Sequence, residues 1–474
     1  MVKRLPLAAR VAGFIALSFV VASARGSSAG PSPADRELTV QQEQEDFDLM
    51  RRALQEAHAG IYRYSTRAQM DANFDRQRAK LTRPMSEARF FELTAQTLAS
   101  IRCGHTHMAP DENTEAAMHK AAKFPFQVLL EGRHVVVPLN DTPNDHTIRP
   151  GMEIVEINSQ PTARIVDRLW ATIPADGDIE TGRRHELSGK FADLYWLLID
   201  RHDEFVVKAM DPSGKTVEAK LPGVTDADRK ANRKNPVNSE ITAGIGKILG
   251  WPKSNVATRF LTEPQIAEVR IGLFMGDDYP QSIEQTFKTL HDRGTQSLIL
   301  DLRGNGGGRD EYGAMLVSYF TDKPFRYFDR IHLSTINPSF AAHSDWNADR
   351  IRDSHVIDKL TPDPAGGYLV TARLHPGVAE QQPGKYPFLG KVFVLTDGGT
   401  FSTAADACAI IRHLGRATFI GEETGGGYYG NNSGLDTTLT LPHSGLRITI
   451  PMYEYWNAVQ GDPGARRGTI PDHV

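Results

Sequence analysis

Two cysteines, Cys103 and Cys408, are all that 474 residues contain. That is too few for a fold held by a disulfide scaffold. In an oxidising compartment one bridge is possible, and two buried free thiols are the alternative. Charge of one sign is also lacking. Lys and Arg total 54 against 58 Asp and Glu, a net charge of −4, so there is no basic footprint for nucleic acid. After residue 24 no apolar run approaches the roughly 20 residues that a spanning helix requires. Hydrophobic residues make up 40% and charged residues 24%, which excludes wholesale disorder and a polytopic membrane protein.

The N-terminus reads as an address. Lys3, Arg4 and Arg10 precede the apolar stretch 11–24, which ends in Ala22-Ser23-Ala24. A basic start, a short apolar run and small residues at its end describe a secretory signal peptide over 1–24. Its removal takes away three cations and no acid. Export to a bacterial periplasm or to the outside is the expectation, with no membrane span in the mature chain.

Composition and periodicity then divide the chain. Residues 25–37 are rich in Ser, Gly and Pro and form a flexible lead-in. Residues 38–110 are a helical unit. Phe47, Met50, Leu54 and Ala57 recur at helical steps, and a second helix capped by Ser86 carries Phe90, Leu93, Thr97 and Ile101 on one face. Residues 120–222 change to short strands and turns, including Asp211-Pro212-Ser213-Gly214 between two strand-like runs, with 172–200 ambiguous. The charged stretch 223–256 reads as a linker or insertion with a solvated surface. Residues 257–474 alternate strand and helix. The runs Ser297–Leu302 and Lys391–Leu395 are nearly all apolar, as in buried parallel strands of an α/β layer.

Three segments could carry chemistry. Asp301-Leu302-Arg303-Gly304-Asn305-Gly306-Gly307-Gly308 follows a buried strand and precedes a helix. Its glycines suit a tight turn or a cradle of backbone N–H groups for negative charge, but the phosphate-loop spacing is absent. Ser402 stands where a second strand–glycine turn–helix passage begins its helix. It is either an N-cap or a nucleophile whose oxyanion would meet the Thr403 N–H. A hydroxyl is a weak nucleophile and needs a base. His105, after Cys103-Gly104, is a candidate, since an imidazole titrates at about 6.5. His105 and His107 could instead ligate a metal, yet no second ligand cluster of recognisable spacing accompanies them, so neither metal nor cofactor is expected.

Taken together, the stretches resemble the tail-specific (C-terminal processing) serine peptidases. The glycine loop, the Ser402 segment with Gly415–Gly427, Ile148–Pro161 and Gly468-Thr469-Ile470-Pro471-Asp472 carry the resemblance. It implies a crotonase/ClpP-like α/β core, an N-terminal helical unit and a PDZ-like β domain over 120–222. The lysine of the family's serine–lysine dyad would fall at position 427, where this chain has Gly427. Thr424-Gly425-Gly426-Gly427 is similar instead to the branch of tricorn-type peptidases and interphotoreceptor retinoid-binding proteins. That likeness implies Ser402 as nucleophile, His105 as base, and N–H groups of Gly307 and Thr403 as oxyanion donors. Glu454 is the expected orienting acid, with Asp462 and Glu422 as rivals. If Cys103 and Cys408 lie close, they could bridge. The implied function is an exported peptidase acting on peptides or proteins. The alternative is a non-catalytic protein of the same fold that binds apolar ligands or peptide ends.

Overall fold

The computed structural model describes residues 32–142, 144–232, 234–239, 255–261, 265–347, 355–461 and 464–474. The expected signal peptide over 1–24 and the candidate acid Asp462 lie outside the described residues. No helix among the described residues is long and apolar enough to cross a membrane.

The first unit is helical because its apolar residues repeat at helical spacing and its helices are capped. Thr39 accepts from the Gln42 N–H at the head of Val40–Ala57, and Ser86 accepts from the Arg89 N–H at the head of Glu87–Ala99. Phe47, Met50, Leu54 and Ala57 are buried on one face, and Phe90 and Thr97 on the other helix, with Ile101 buried just past its end. After Glu87–Ala99 the chain turns through Arg102, at φ 64°, into Cys103-Gly104-His105.

A six-stranded antiparallel sheet follows, its main strands Leu129–Glu131, His134–Val136, Glu153–Ile157, Glu204–Met210 and Thr216–Pro222. The ambiguous stretch 172–200 is mostly helix, Glu180–Leu194, packed on Leu129–Glu131. The charged stretch that read as a solvated linker is partly docked. Its short helix Asp226–Asn232 places Asp226 on the buried Lys123, at 2.8 Å, and Arg229 on the buried Asp141, at 2.6 Å. A run of mixed charge predicts a solvated face, but here the partners of Asp226 and Arg229 lie in other segments.

The core sheet has five strands in the order Val256–Phe260, Ile266–Ile271, Ser297–Asp301, Lys391–Thr396 and Thr418–Gly421. The last four are parallel and the first is antiparallel. Asp301 pairs in register with Leu395, so the two glycine turns leave the same carboxyl edge side by side. In a parallel sheet that edge is where the crevice for a ligand forms.

The helical unit is joined to this core by pairing. Met108–Ala109 pairs antiparallel with Arg447–Ile450, and the Thr449 N–H donates to the His107 carbonyl at 2.9 Å. Arg63, nearly buried, donates to the carbonyls of Tyr429, Asn431 and Tyr455 and stacks 4.4 Å from the Trp456 ring. The short segment around His105 is thereby held over the sheet's carboxyl edge.

Candidate active site

Ser402 sits at the head of Thr403–His413 with φ 53° and ψ −132°. For a residue with a Cβ that conformation costs about 1–3 kcal/mol and persists only where neighbours over-determine it. Here they do. Asp397 accepts from the N–H groups of Gly304 and Gly399, lacing the two glycine turns together. Thr400 Oγ1 donates to the Leu302 carbonyl at 2.9 Å, and the Phe401 N–H donates to Asn305. Thr403 Oγ1 is held by the Gly308 carbonyl and Asp310, both at 2.9 Å. Ser402 makes no cap hydrogen bond, which sets aside the N-cap reading of this residue.

Helix geometry leaves the first N–H groups of Thr403–His413 without partners inside the helix. Among the described residues no acceptor takes the N–H of Thr403, the first of the two expected oxyanion donors. The other donor differs from that reading. The Gly307 N–H donates to Asn305 Oδ1 at 2.9 Å and is already committed. Gly306 lines the cavity in front of Ser402, and no described acceptor takes its N–H. Gly307 instead serves the turn. At φ 102° it backs directly on Ser402, and a Cβ there would come within 2.7 Å of the Ser402 Cβ.

Ser402 and His105 open on one cavity of about 540 Å³. The His105 ring stacks on Phe401, with centroids 4.5 Å apart and planes at 26°. Burial pushes the imidazole down to about 3, the neighbouring His107 adding to the shift and Asp310 opposing it. It is therefore neutral, and able to accept a proton, at ordinary pH. The far wall carries His107, His185, and Glu186 paired with Lys190 at 2.6 Å. A lysine at 427 has no room, because a Cβ on Gly427 would lie 2.7 Å from the Gly430 carbonyl.

The acid beside the imidazole is Asp176. One of its oxygens, a ring nitrogen of His105 and the Cys103 sulfur lie within 4.8 Å of one another. Asp176 Oδ1 accepts from the Gly104 N–H at 2.7 Å, while Oδ2 and His105 Nδ1 are both buried without a partner among the described residues. Burial raises the Asp176 carboxyl to about 6. Glu454, the expected acid, points elsewhere. It pairs with Arg63 at 3.7 Å and is not part of the cavity lining. Glu422 pairs with Arg184 at 3.1 Å on the surface. Asp176 was hidden in Pro174-Ala175-Asp176-Gly177, which has the composition of any turn. Its burial is what marks it, and burial is not written in a turn's sequence. Cys103 and Cys408 are both buried free thiols, not a bridge.

Residues 265–474 match the model of peptidase family S41. The chain carries a serine peptidase domain of that family. Over most of its length it is also similar to two crystal structures. One is mature CPAF, at 14% identity over 92% of each chain with a TM-score of 0.61. The other is mature CPAF complexed with lactacystin, at 14% identity over 92% of this chain and 93% of that one, with a TM-score of 0.59. At such identity the likeness is one of fold. Ser402, Gly306 and Thr403 fall within the matched S41 region, whereas His105 and Asp176 come from segments before it.

Proposed function

We propose that the protein is an exported serine peptidase that works through an acyl-enzyme with histidine as its base. Ser402 Oγ attacks the peptide carbonyl while His105 takes its proton. The Gly306 and Thr403 N–H groups receive the oxyanion. As the intermediate collapses the C–N bond breaks and His105 returns the proton to the leaving amine. Water, deprotonated by the same imidazole, then hydrolyses the ester. The Asp176 carboxylate, within 4.8 Å of a ring nitrogen, attracts the imidazolium as it forms, which leaves the other nitrogen for the hydroxyl. The basic, apolar and small-residue pattern of residues 1–24 supports export.

One observation carries this reading: the imidazole packs on Phe401, the residue next to a strained serine, across a shared cavity. A fluorophosphonate probe tests it. Modification at Ser402, with slower labelling in His105→Ala, is the expected result. An intact fold in which Ser402 stays unlabelled and Ser402→Ala leaves ligand affinity unchanged would instead indicate a binding protein.

A further inference from the structure

Cys103 has no part in the proposed chemistry, yet its thiol is fully buried one residue from Gly104 and within 4.8 Å of both the imidazole and the Asp176 carboxyl. Two of the three groups present unsatisfied atoms. His105 Nδ1 and Asp176 Oδ2 are buried and have no partner among the described residues. Leaving such an atom unpaired typically costs about 1–3 kcal/mol. The sulfur donates to the Asn432 carbonyl at 3.5 Å and also meets the Thr106 side chain and the His105 backbone.

We propose that Cys103, His105 and Asp176 form an inhibitory site for a thiophilic divalent cation of the zinc class. A thiolate, a neutral imidazole and a carboxylate are a zinc ligand set, and three protein ligands leave a fourth position for water. The charges close: one thiolate and one carboxylate neutralise a divalent ion, which a buried site requires. Of the three residues only His105 lines the catalytic cavity, beside Gly104, and through it the buried pair Cys103 and Asp176 adjoins that cavity. Binding breaks the Cys103 S–H bond, releases that proton to solvent and forms the sulfur–metal bond. The bound ion fixes His105 and removes the base that Ser402 needs. This goes beyond the peptidase reading, because a metal could occupy the three residues whether or not the chain turns over peptides.

The full chain is titrated with cobalt(II) chloride and, separately, zinc chloride. Only two thiols exist, so a thiolate-to-cobalt charge-transfer band has two candidate sources. The expected band saturates near one equivalent, persists in Cys408→Ser and is absent in Cys103→Ser. Zinc is expected to slow fluorophosphonate labelling of Ser402 in the wild type and in Cys408→Ser. Cys103→Ser should label normally without zinc. It should also need more zinc for the same slowing, by more than the about 10–100-fold typical of an outer-ligand change. Absence of the band in Cys408→Ser overturns the site, and that spectrum needs neither activity nor a stable Cys103 variant. A band accompanied by undiminished labelling, or equal zinc sensitivity in Cys103→Ser, overturns the inhibition.

Discussion

His105 lies face to face with Phe401, with 4.5 Å between ring centres, so the residue before the strained serine forms the platform for the imidazole. The two come from chain segments almost three hundred residues apart. What brings them together is the pairing of Met108–Ala109 with Arg447–Ile450 and the Arg63 guanidinium spread over three carbonyls of the core.

That platform sets a measurable contribution. Stacked aromatic pairs are worth about 0.5–1.5 kcal/mol beyond their buried area. Phe401→Ala should therefore lower the rate of Ser402 labelling by up to about tenfold, through loss of the ring's productive orientation. Labelling at the wild-type rate would mean that the stacking does not position the base.

Gly306 and Gly307, adjacent in sequence, should respond in opposite ways to a methyl group. A Cβ on Gly306 meets nothing within 4 Å, whereas one on Gly307 would press on Ser402 at a φ of 102°. Gly306→Ala should keep the wild-type unfolding midpoint. Gly307→Ala should lower that midpoint and displace the serine turn, costing at least the about 10²–10³ in turnover that loss of one oxyanion donor costs. Equal midpoints in the two variants would contradict the close approach.

The orienting acid can be separated from the acid expected from sequence by two isosteric changes. Asp176→Asn should reduce kcat by about 10²-fold or more with little change in KM, since general-base catalysis contributes about 10²–10⁴. Glu454→Gln should leave kcat intact, its carboxylate being engaged with Arg63. The opposite pattern in steady-state kinetics would restore Glu454.

The parallel layer, the two glycine turns and the serine at the helix head were legible because each is local. Apolar runs such as Ser297–Asp301 give buried strands, and glycines mark the turns that follow them. His105 was legible through its neighbours in sequence. The committed N–H of Gly307 was not, since it depends on where the Asn305 side chain points. Nor was Asp176, whose place beside the imidazole depends on its burial against a segment about seventy residues earlier. Charge runs misled for the same reason, as Lys123 and Asp226 show: the partner of a charge is chosen by the fold.

The last prediction concerns acid stability and rests on His58. It is 1% exposed, its Nε2 lies 2.9 Å from Thr106 Oγ1, and burial pushes its pKa down to about 4 from the ordinary 6.5. The folded state thus prefers the neutral ring more than the unfolded state does. Its contribution is present above pH 6.5 and is lost as pH falls from there towards 4. Between pH 7 and pH 5 the loss comes to roughly 2 kcal/mol, at about 1.4 kcal/mol per pKa unit. His58→Gln keeps a donor for Thr106 but cannot titrate. Urea unfolding at the two pH values should show the wild type losing roughly 2 kcal/mol more than this variant. Parallel losses would mean that His58 stays neutral in neither state more than the other, and that the acid sensitivity lies elsewhere. Because Thr106 follows His105 directly, charging His58 should also loosen the segment that carries the proposed base. Ser402 labelling should therefore fall at acid pH before global unfolding in the wild type, and not in His58→Gln.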